Sequence, residues 1–362
     1  MSKWSKYGSS SGNYHADTRI ILTASYLAMD VVLDVVFGEE YNLIEKPDSR
    51  NVVQSVEDCN IRTGVLFQAS ELKNRFVDRW LFSESIVSRK TLIHFINSLL
   101  AKWMKSSPKG RKGVLSNFLI DGEDSKNGPS LADLGSEATT LLMAGSETTS
   151  VAIAAALFYL VQNPNAYEKA VQEVQNYFPN TKDICLGYQL SSCTCLRACL
   201  DESLRMSPPA ASAQWREVIA EGVSVDGQPV PAGCDIGTSL YAIHHHPDFF
   251  PDPFVFRPER WLADSSPRDE KRVQMQKSAF APFLLGPRSC VAKELAISEA
   301  MLTLATLLGR FEIEAANGSN GNIGCGGKDF GYGRHRVEEY QLWEHVAATK
   351  RGPILQFRER KW

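Results

Sequence analysis

The longest apolar stretch of the chain covers residues 131–162, where hydrophobic side chains fall on nearly every face of a helix. Ser130 and Asp133 have the spacing of a capping box, and Pro164 stops the helix from continuing. At 1.5 Å per residue such a helix is about 48 Å long. Because a helix that is apolar all round is buried, we predict a central helix that crosses the core.

The same stretch has the length of a membrane span. Glu147 lies in its middle, however, and a charge at the bilayer centre costs about 2.5–3.5 kcal/mol on insertion scales. We therefore interpret it as a buried helix of a soluble domain.

Prolines divide the rest of the chain into two parts. Five of the 17 prolines precede Arg205 and twelve follow it. Since proline interrupts helices, the first part is free to be helical and the second is expected to hold turns and short strands. Asp226-Gly227 within a valine-rich alternation predicts a hairpin. The fold class is therefore mainly α with a minor β portion, with helices predicted at 29–37, 51–80, 84–106, 131–162, 165–178, 194–206 and 291–309.

Composition and charge exclude some classes of function. The 362 residues are 43% apolar and 22% charged, with a net charge of −3, which is an ordinary globular composition without the basic surface that nucleic acid requires. Eight cysteines without paired CxxC spacing favour a reducing compartment over a disulfide framework. The thiols of Cys193, Cys195 and Cys199 have no partner pair and no histidine at zinc spacing. We interpret these thiols, and the three consecutive histidines at 244–246, as structural and not as metal ligands.

One cysteine lies where a loop meets a predicted helix, in the sequence FAPFLLGPRSCVAKELA. We expect the N-terminus of the helix and the charge of Arg288 to favour an anionic sulfur at Cys290. Gly286 permits a tight turn, Phe283 can cover one side of the sulfur, and Ala292 leaves room for a flat cofactor. From the loop alone, an ordinary buried cysteine is an equally good interpretation.

Four motifs together identify a family. The cysteine loop resembles the haem-binding signature of the cytochrome P450 monooxygenases, with the spacing Phe283-x-x-Gly286-x-Arg288-x-Cys290-x-Ala292. Three further motifs precede it in the family's order: AGSETT at 144–149 resembles the oxygen-activation segment, ESLR at 202–205 resembles the ExxR helix, and FRPERW at 256–261 resembles the loop that pairs with that helix. The chain is similar to members from filamentous-fungal secondary metabolism.

The resemblance implies a cofactor and two sides of a site. Cys290 would be the axial ligand of the iron of haem b, pushing electron density toward the metal. On the opposite side, Ala144 and Gly145 would let the helix backbone approach the porphyrin. Thr148 and Glu147 would carry protons to oxygen. The alternative is a polar notch in a buried helix, with the Thr148 hydroxyl bonded back to the Ala144 carbonyl.

Three charged residues are expected to form a structural network. Glu202 and Arg205 share one helix face at i and i+3, and the resemblance pairs them with Arg260. Loss of one member would strand a buried charge. Arg216 follows at the distance where the family places a cation on a haem propionate, a task that suits its bidentate geometry. The alternative for Arg216 is an ordinary surface arginine.

The resemblance also implies a reaction and partners. A haem-dependent monooxygenase would oxidise a small apolar organic substrate with O2 and with electrons from NADPH-cytochrome P450 reductase, since the chain has no dinucleotide motif after a strand. Full-length members lie on the cytoplasmic face of the endoplasmic reticulum membrane.

The front of the chain departs from the family. Residues 1–28 are an atypical segment, and we expect 29–362 to be a truncated cytochrome P450 domain that lacks the N-terminal helices, sheet and membrane anchor, and so lies in the cytoplasm. We interpret residues 8–28 as a retained intron read in frame, the alternative being a genuine loop insertion. The alternative function is a non-catalytic remnant that binds haem poorly or not at all.

Overall fold

The structure is a computed structural model that describes residues 15–18, 20–73, 75–105, 112–118, 129–262 and 267–360. Helices dominate these ranges, and the predicted fold class, mainly α with a minor β portion, is confirmed. The α-helices are α1 (Ile20–Phe37), α2 (Asn51–Gln68), α3 (Arg75–Leu81), α4 (Ser83–Lys105), α5 (Leu131–Gln162), α6 (Pro164–Tyr177), α7 (Tyr188–Ser191), α8 (Thr194–Met206), α9 (Leu240–His244), α10 (Pro267–Ala279) and α11 (Lys293–Arg310).

The strands form one three-stranded antiparallel sheet and three two-stranded ones within the described ranges. The larger sheet has the order β1-β9-β6, and the others pair β2 with β5, β3 with β4, and β7 with β8. The strands are β1 (His15–Thr18), β2 (Arg216–Glu217), β3 (Val223–Val225), β4 (Gln228–Val230), β5 (Asp235–Ile236), β6 (Phe311–Ala315), β7 (Leu342–Trp343), β8 (Thr349–Lys350) and β9 (Leu355–Glu359).

The predicted hairpin is β3–β4. Val225 is opposite Gln228, and the two residues between them, Asp226 and Gly227, have φ of 50° and 78°. Positive φ at both central positions is what a two-residue hairpin turn requires, and asparagine, aspartate and glycine tolerate it best.

Helix α5 is the central element. Its predicted capping box is present, because Asp133 N donates to Ser130 Oγ at 3.2 Å and Ser130 N donates to Asp133 Oδ2 at 2.8 Å. By length and composition α5 is the one helix in the described ranges that could cross a membrane, but most of its apolar stretch is buried inside the protein. It is therefore the core helix that its sequence predicts.

Two hydrophobic clusters lie along α5. The first half of the helix packs with α1, α2 and α4 around residues such as Leu33, Val56 and Leu99. The second half packs with α6, α8 and α11 around Leu200 and Leu304. The whole molecule is thus organised around one helix, whose middle carries the AGSETT segment between the two clusters.

The structure differs from the sequence-based prediction in three elements. Helix α1 begins at Ile20, so the boundary predicted after residue 28 falls inside a helix, and Ala24 and Ala28 are buried. The predicted helix 51–80 is two helices, because α2 ends where Ala69 leaves helical geometry at φ −133° and ψ 76°. Helix α10 was not predicted, since its sequence is polar nearly all round and gives no periodic signal.

The predicted origin of residues 8–28 is a separate matter from their conformation. Residues 20–28 are continuous with the helix that packs on α5. Whether residues 8–28 are a retained intron, as predicted, or a genuine loop insertion depends on the sequence of the transcript. The retained intron stays a prediction. Residues 1–14 lie outside the described residues.

Candidate active site

The cysteine loop is a tight turn closed by a backbone hydrogen bond. Cys290 N donates to Phe283 O at 2.8 Å, and residues 286–288 between them form a 3-10 turn. Leu284 and Gly286 both have positive φ, 58° and 69°. Nothing lies within 4 Å of the position that a Gly286 Cβ would take, so glycine serves the backbone conformation here and not the packing.

Cys290 lies two residues before the N-cap of α11. Ala292 is the N-cap, and Lys293 N donates to Cys290 O at 3.4 Å. The unpaired N–H groups of the first helical turn favour an anion at this end, which is the condition that a thiolate ligand needs. Arg288, on the same loop, is exposed.

The surroundings of the sulfur fit haem better than they fit a bare metal ion. Cys290 is exposed, and its neighbours Leu285 and Val291 are exposed apolar residues, at 69% and 95%. Phe283 packs against the core cluster shared by α5 and α11. No group of three or more metal-ligating side chains occurs in the described residues. A single sulfur donor among apolar side chains is the donor set of haem-thiolate proteins.

The AGSETT segment exposes a small patch on an otherwise buried helix. Ala144 is exposed and Thr148 is half-buried. The Thr148 hydroxyl donates to Ala144 O at 2.7 Å, which is the back-bonded geometry of the alternative interpretation. The hydroxyl oxygen still has lone pairs that accept hydrogen bonds, so its proposed role in proton transfer stays a prediction.

Gly145 has a packing role that the sequence did not reveal. A Cβ on Gly145 would lie 2.5 Å from Val32 Cγ2 on α1, so a side chain here would collide with the neighbouring helix. Glycine is needed for the close crossing of α1 and α5. The predicted approach of this backbone to the porphyrin stays a prediction.

Glu147 is buried, whereas Ala144, almost one helical turn earlier on α5, is exposed. Its carboxyl is 4% exposed, and burial raises its pKa while the charge of Lys350 lowers it and that of Glu57 raises it. No hydrogen bond joins Glu147 to Thr148 among the described residues. Sequence reasoning missed Lys350, because nothing in a C-terminal strand indicates that it lies beside the central helix.

The structure brings the three members of the predicted charge network together. Glu202 and Arg205 are fully buried and Arg260 is nearly so. Arg205 binds both carboxylate oxygens, at 3.0 and 2.9 Å, and Arg260 Nε donates to Oε1 at 3.1 Å. Two further donors also reach this carboxylate: Trp261 Nε1 at 3.0 Å and Arg257 N at 3.0 Å. Five N–H donors from these four residues therefore converge on one buried carboxylate.

The network extends into the loop before the cysteine. Arg205 Nη1 donates to the carbonyls of His244 and Pro253 at 2.9 and 2.7 Å. Ala281 N, in turn, donates to His244 Nε2 at 3.1 Å. The chain entering the cysteine loop is thereby tied to the ExxR helix through one histidine. This contact explains the buried histidine, whose pKa is lowered to about 4 by burial and then by Arg205.

The comparisons with known proteins agree with this geometry. The sequence model of the family "Cytochrome P450" matches residues 7–326. The chain belongs to the cytochrome P450 family. The match includes all four motifs, and family membership implies a haem cofactor.

Curated relatives of this cytochrome P450 come from fungi. It is 45% identical over 339 residues to "Cytochrome P450 monooxygenase AKT7" of Alternaria alternata, covering 92% of the chain and 65% of that protein. It is 47% identical over 338 residues to a "Cytochrome P450 monooxygenase" of Gibberella zeae, covering 93% and 76%. A third relative, "Cytochrome P450 monooxygenase lcsN" of Purpureocillium lilacinum, is 38% identical over 338 residues and is covered at 97%.

Solved structures show the same fold. A cytochrome P450 called CYP102L1 superposes with a TM-score of 0.70 at 21% identity, over 96% of this chain and 69% of that one. The haem domain of cytochrome P450DA superposes with a TM-score of 0.72 at 19% identity, over 99% and 70%.

The remaining predicted residue of this cytochrome P450 is Arg216. It is exposed on β2, and its guanidinium donates to the carbonyl of Trp215 at 2.7 Å. No carboxylate pairs with it in the described part of the chain. Its predicted contact with a haem propionate stays a prediction.

The two discounted clusters have structural roles. Cys193 and Cys199 are buried and free, and Cys195 is half-buried and free. His245, beside His244, forms a hydrogen bond with Tyr241 O through Nδ1 at 2.9 Å. Both clusters therefore lie in the packed surroundings of α8.

Proposed function

We propose that the chain is a haem-thiolate monooxygenase that oxidises a small apolar organic substrate with O2. One oxygen atom enters the substrate and the other leaves as water, with two electrons from NADPH-cytochrome P450 reductase. The observation that carries the proposal is the closed turn that holds Cys290 at the N-terminus of α11. The names of the fungal relatives, all monooxygenases, support it.

Each part of the site has a task in this proposal. Haem b, when bound, supplies the chemistry of O2 activation. The Phe283–Cys290 hydrogen bond fixes the direction of the sulfur, and the end of α11 favours its anionic form. The Glu202 network holds the loop from behind, through Arg205 and His244. Within the AGSETT segment, Glu147 holds a proton and the Thr148 hydroxyl orients hydrogen bonds.

The partners and the location follow from the same proposal. The reductase would bind the cysteine side of the molecule, where Lys293 is exposed beside Cys290. Complementary charge would speed that encounter. We place this chain in the cytoplasm, on the side of the endoplasmic reticulum membrane where full-length members of the family lie.

Spectroscopy of the reduced, carbon monoxide-bound protein tests the proposal. The purified chain, supplied with haem, should show the red-shifted Soret band of thiolate-ligated iron. Cys290→Ser should lose that band completely, because a hydroxyl does not supply the anionic sulfur. Cys185→Ser, at another exposed cysteine, is the matched control and should keep it.

Two outcomes would contradict the proposal. A wild-type chain without a Soret band, or with the band of a neutral-thiol form, would instead support the non-catalytic remnant. A thiolate band that survives in Cys290→Ser would show that another cysteine is the ligand.

A further inference from the structure

Three charged side chains that the sequence keeps far apart line one small cavity. Lys350 on β8, Glu147 on α5 and Glu57 on α2 surround a volume of about 70 Å³. Lys350 is 8% exposed and Glu147 is 4% exposed, whereas Glu57 is only half-buried. The cavity therefore has an inner end at the central helix and an outer end at Glu57.

The ammonium of Lys350 is held in place by two hydroxyls. Its Nζ donates to Ser150 Oγ at 2.7 Å and to Ser25 Oγ at 3.0 Å. Ser150 Oγ in turn donates to the carbonyl of Glu147 at 2.8 Å. These bonds join α1, α5 and β8. An ammonium has three N–H donors, so one remains for the cavity.

The charges in this cluster balance when one proton is shared. Burial lowers the pKa of Lys350, whereas the charges of Glu147 and Glu57 raise it. With Lys350 protonated, one of the two carboxyls can be ionised without leaving a net charge among these three groups. A second ionised carboxylate would leave an uncompensated negative charge beside the first, which is unfavourable in a poorly solvated site. Burial raises the pKa of Glu147, the charge of Lys350 lowers it and that of Glu57 raises it. Burial also raises the pKa of Glu57, and the charge of Lys350 lowers it.

One further charged side chain lines the cavity, that of Arg50, and it is not among the groups that shift the pKa of Glu57 or Glu147. Its guanidinium donates to the carbonyls of Leu43 and Ile44 at 2.7 Å each and lies over the ring of Tyr26 at 4.6 Å. Outside the cavity, Asp58 and Arg351 act on Glu57 with opposite signs.

The cavity has room for water. A polar cavity needs at least about 10–15 Å³ of volume open to a water-sized probe to hold one water molecule, and this cavity exceeds that. Carboxylates, an ammonium and the exposed Gln54 give water polar partners. Protons can then move between the two carboxyls without a direct contact between them.

We propose that Glu57, Lys350 and Glu147 form the proton-entry site of this enzyme. A proton passes from the carboxylic acid of Glu57 through water to the carboxylate of Glu147. Glu57 is left ionised and then takes a proton from solvent. Glu147 gives up its proton before Glu57 takes one from solvent, so one carboxyl stays ionised beside Lys350 and the cluster keeps one transferable proton. The proposal rests on the proposed monooxygenase function, because Glu147 belongs to the AGSETT segment, where the proposed reaction would consume protons.

The first test measures the carboxyl groups themselves and needs no turnover. Infrared spectra of the protein with isotope-labelled glutamate show the C=O stretching bands of protonated carboxyls. The band that is missing in Glu147→Gln is the band of Glu147. Lys350→Met should keep this band to a pH at least about one unit higher, because a neighbouring positive charge is lost. Glu57→Gln should shift its disappearance to lower pH, because a like charge is lost. Lys182→Met, at an exposed lysine, is the control.

The second test measures proton delivery. Glu57→Gln should keep the thiolate Soret band and lower the product formed per NADPH consumed about tenfold or more, with a larger solvent isotope effect. Failure of the Soret band in the wild type would reject the proposed function while leaving the infrared test valid. Shifts of the same sign in both variants, no shifts, or unchanged coupling in Glu57→Gln would overturn the proton-entry site. Because Glu57 is half-buried and glutamine has the same shape, this variant tests the proposal even if Lys350→Met does not fold.

Discussion

At the scale of single residues, the Glu202 carboxylate stands out because, in the described part of the chain, it is the one anion bound by two buried guanidinium groups. Arg205 and Arg260 are 0% and 2% exposed in their side chains. The cluster is held by the geometry of its hydrogen bonds, and a buried ion pair of this kind is most sensitive to the loss of one partner. Its contribution is to join α8 to the loops at 252–261 and to the start of the cysteine loop.

We predict that Glu202→Gln lowers the free energy of unfolding by about 3–5 kcal/mol, because two buried positive charges lose their counter-ion. Chemical denaturation followed by circular dichroism measures it. Glu259→Gln is the matched control, since the Lys169–Glu259 pair is more than half exposed and should lose less than about 1 kcal/mol. A loss in Glu202→Gln no larger than that of the control would show that the network does not hold the fold.

Some contacts of this charge network can be predicted from the sequence, and others cannot. The i, i+3 spacing of Glu202 and Arg205 follows directly from helix geometry, and the motif FRPERW supplied Arg260. The indole of Trp261 was inside the same motif but has no spacing rule that indicates a bond to a carboxylate. The backbone carbonyls of His244 and Pro253 have no sequence signal at all.

At the scale of elements, the crossing of α1 and α5 depends on the absence of one side chain. The Cβ position of Gly145 is 2.5 Å from Val32 Cγ2, which is closer than real Cβ contacts. By contrast, Gly135 on the same helix would place a Cβ 3.6 Å from Leu100 Cδ1, an ordinary contact. The two glycines of α5 therefore differ in what an added methyl group would meet.

We predict opposite effects for the two substitutions. Gly145→Ala should lower the free energy of unfolding by about 1–3 kcal/mol through overpacking. Gly135→Ala should raise it by up to about 1 kcal/mol, because alanine is the better helix former and has room. Thermal and urea denaturation measure both.

A double-mutant cycle locates the cause. Adding Val32→Ala to Gly145→Ala should recover part of the loss, with a coupling energy of about 0.5–3 kcal/mol, since the two side chains meet directly. Additive effects of the two substitutions would place the strain elsewhere.

Element boundaries were predictable where local chemistry sets them. Helix α8 begins and ends where it was expected, and α5 begins at its capping box and ends before Pro164. The break between α2 and α3 has neither proline nor glycine, so the sequence around Ala69 gave no warning of it. Helix α10 starts at Pro267, a good first helical residue, but without an apolar stripe that start signal is not enough.

At the scale of the whole molecule, the contacts that could not be predicted join distant parts of the chain. Lys350 reaches Ser25 and Ser150, and Asn60 on α2 accepts a hydrogen bond from Ala347 N at 3.1 Å. Strand β9 pairs with both β1 and β6. These contacts depend on how the C-terminal segment folds back over α1, α2 and α5. The thiol of the candidate site was predictable because a local loop carries it, whereas the cavity of Glu57 and Lys350 exists only in the folded chain.

The pH dependence of the free energy of unfolding is also a property of the whole molecule. Glu299 on α11 contributes a part of it that can be measured. Its Oε1 is buried without a hydrogen-bond partner in the described residues, and burial raises its pKa from 4.5 to about 8. Between these values the carboxyl is protonated in the folded protein and ionised in the unfolded chain. Unfolding then releases a proton, so this group makes stability fall as pH rises from about 4.5 to about 8.

Two buried histidines change the stability in the opposite direction at lower pH. The pKa of His244 is lowered to about 4 and that of His245 to about 3, in both cases by burial first and by Arg205 second. Below their ordinary value of 6.5 the unfolded chain binds protons that the folded protein does not, so stability falls as pH decreases from 6.5. The range from 6.5 to 8 is therefore free of the histidine contribution and is the range in which to measure Glu299.

We predict that Glu299→Gln has a flatter stability profile than the wild type across that range. The difference between the two profiles should change by up to about 1.4 kcal/mol per pH unit, which is the effect of one proton. Urea denaturation at several pH values measures it. Glu294→Gln, at an exposed glutamate earlier on the same helix, should run parallel to the wild type. If the Glu299→Gln profile also ran parallel, the carboxyl would be ionised in the folded protein, and a partner outside the described residues would have to compensate its charge.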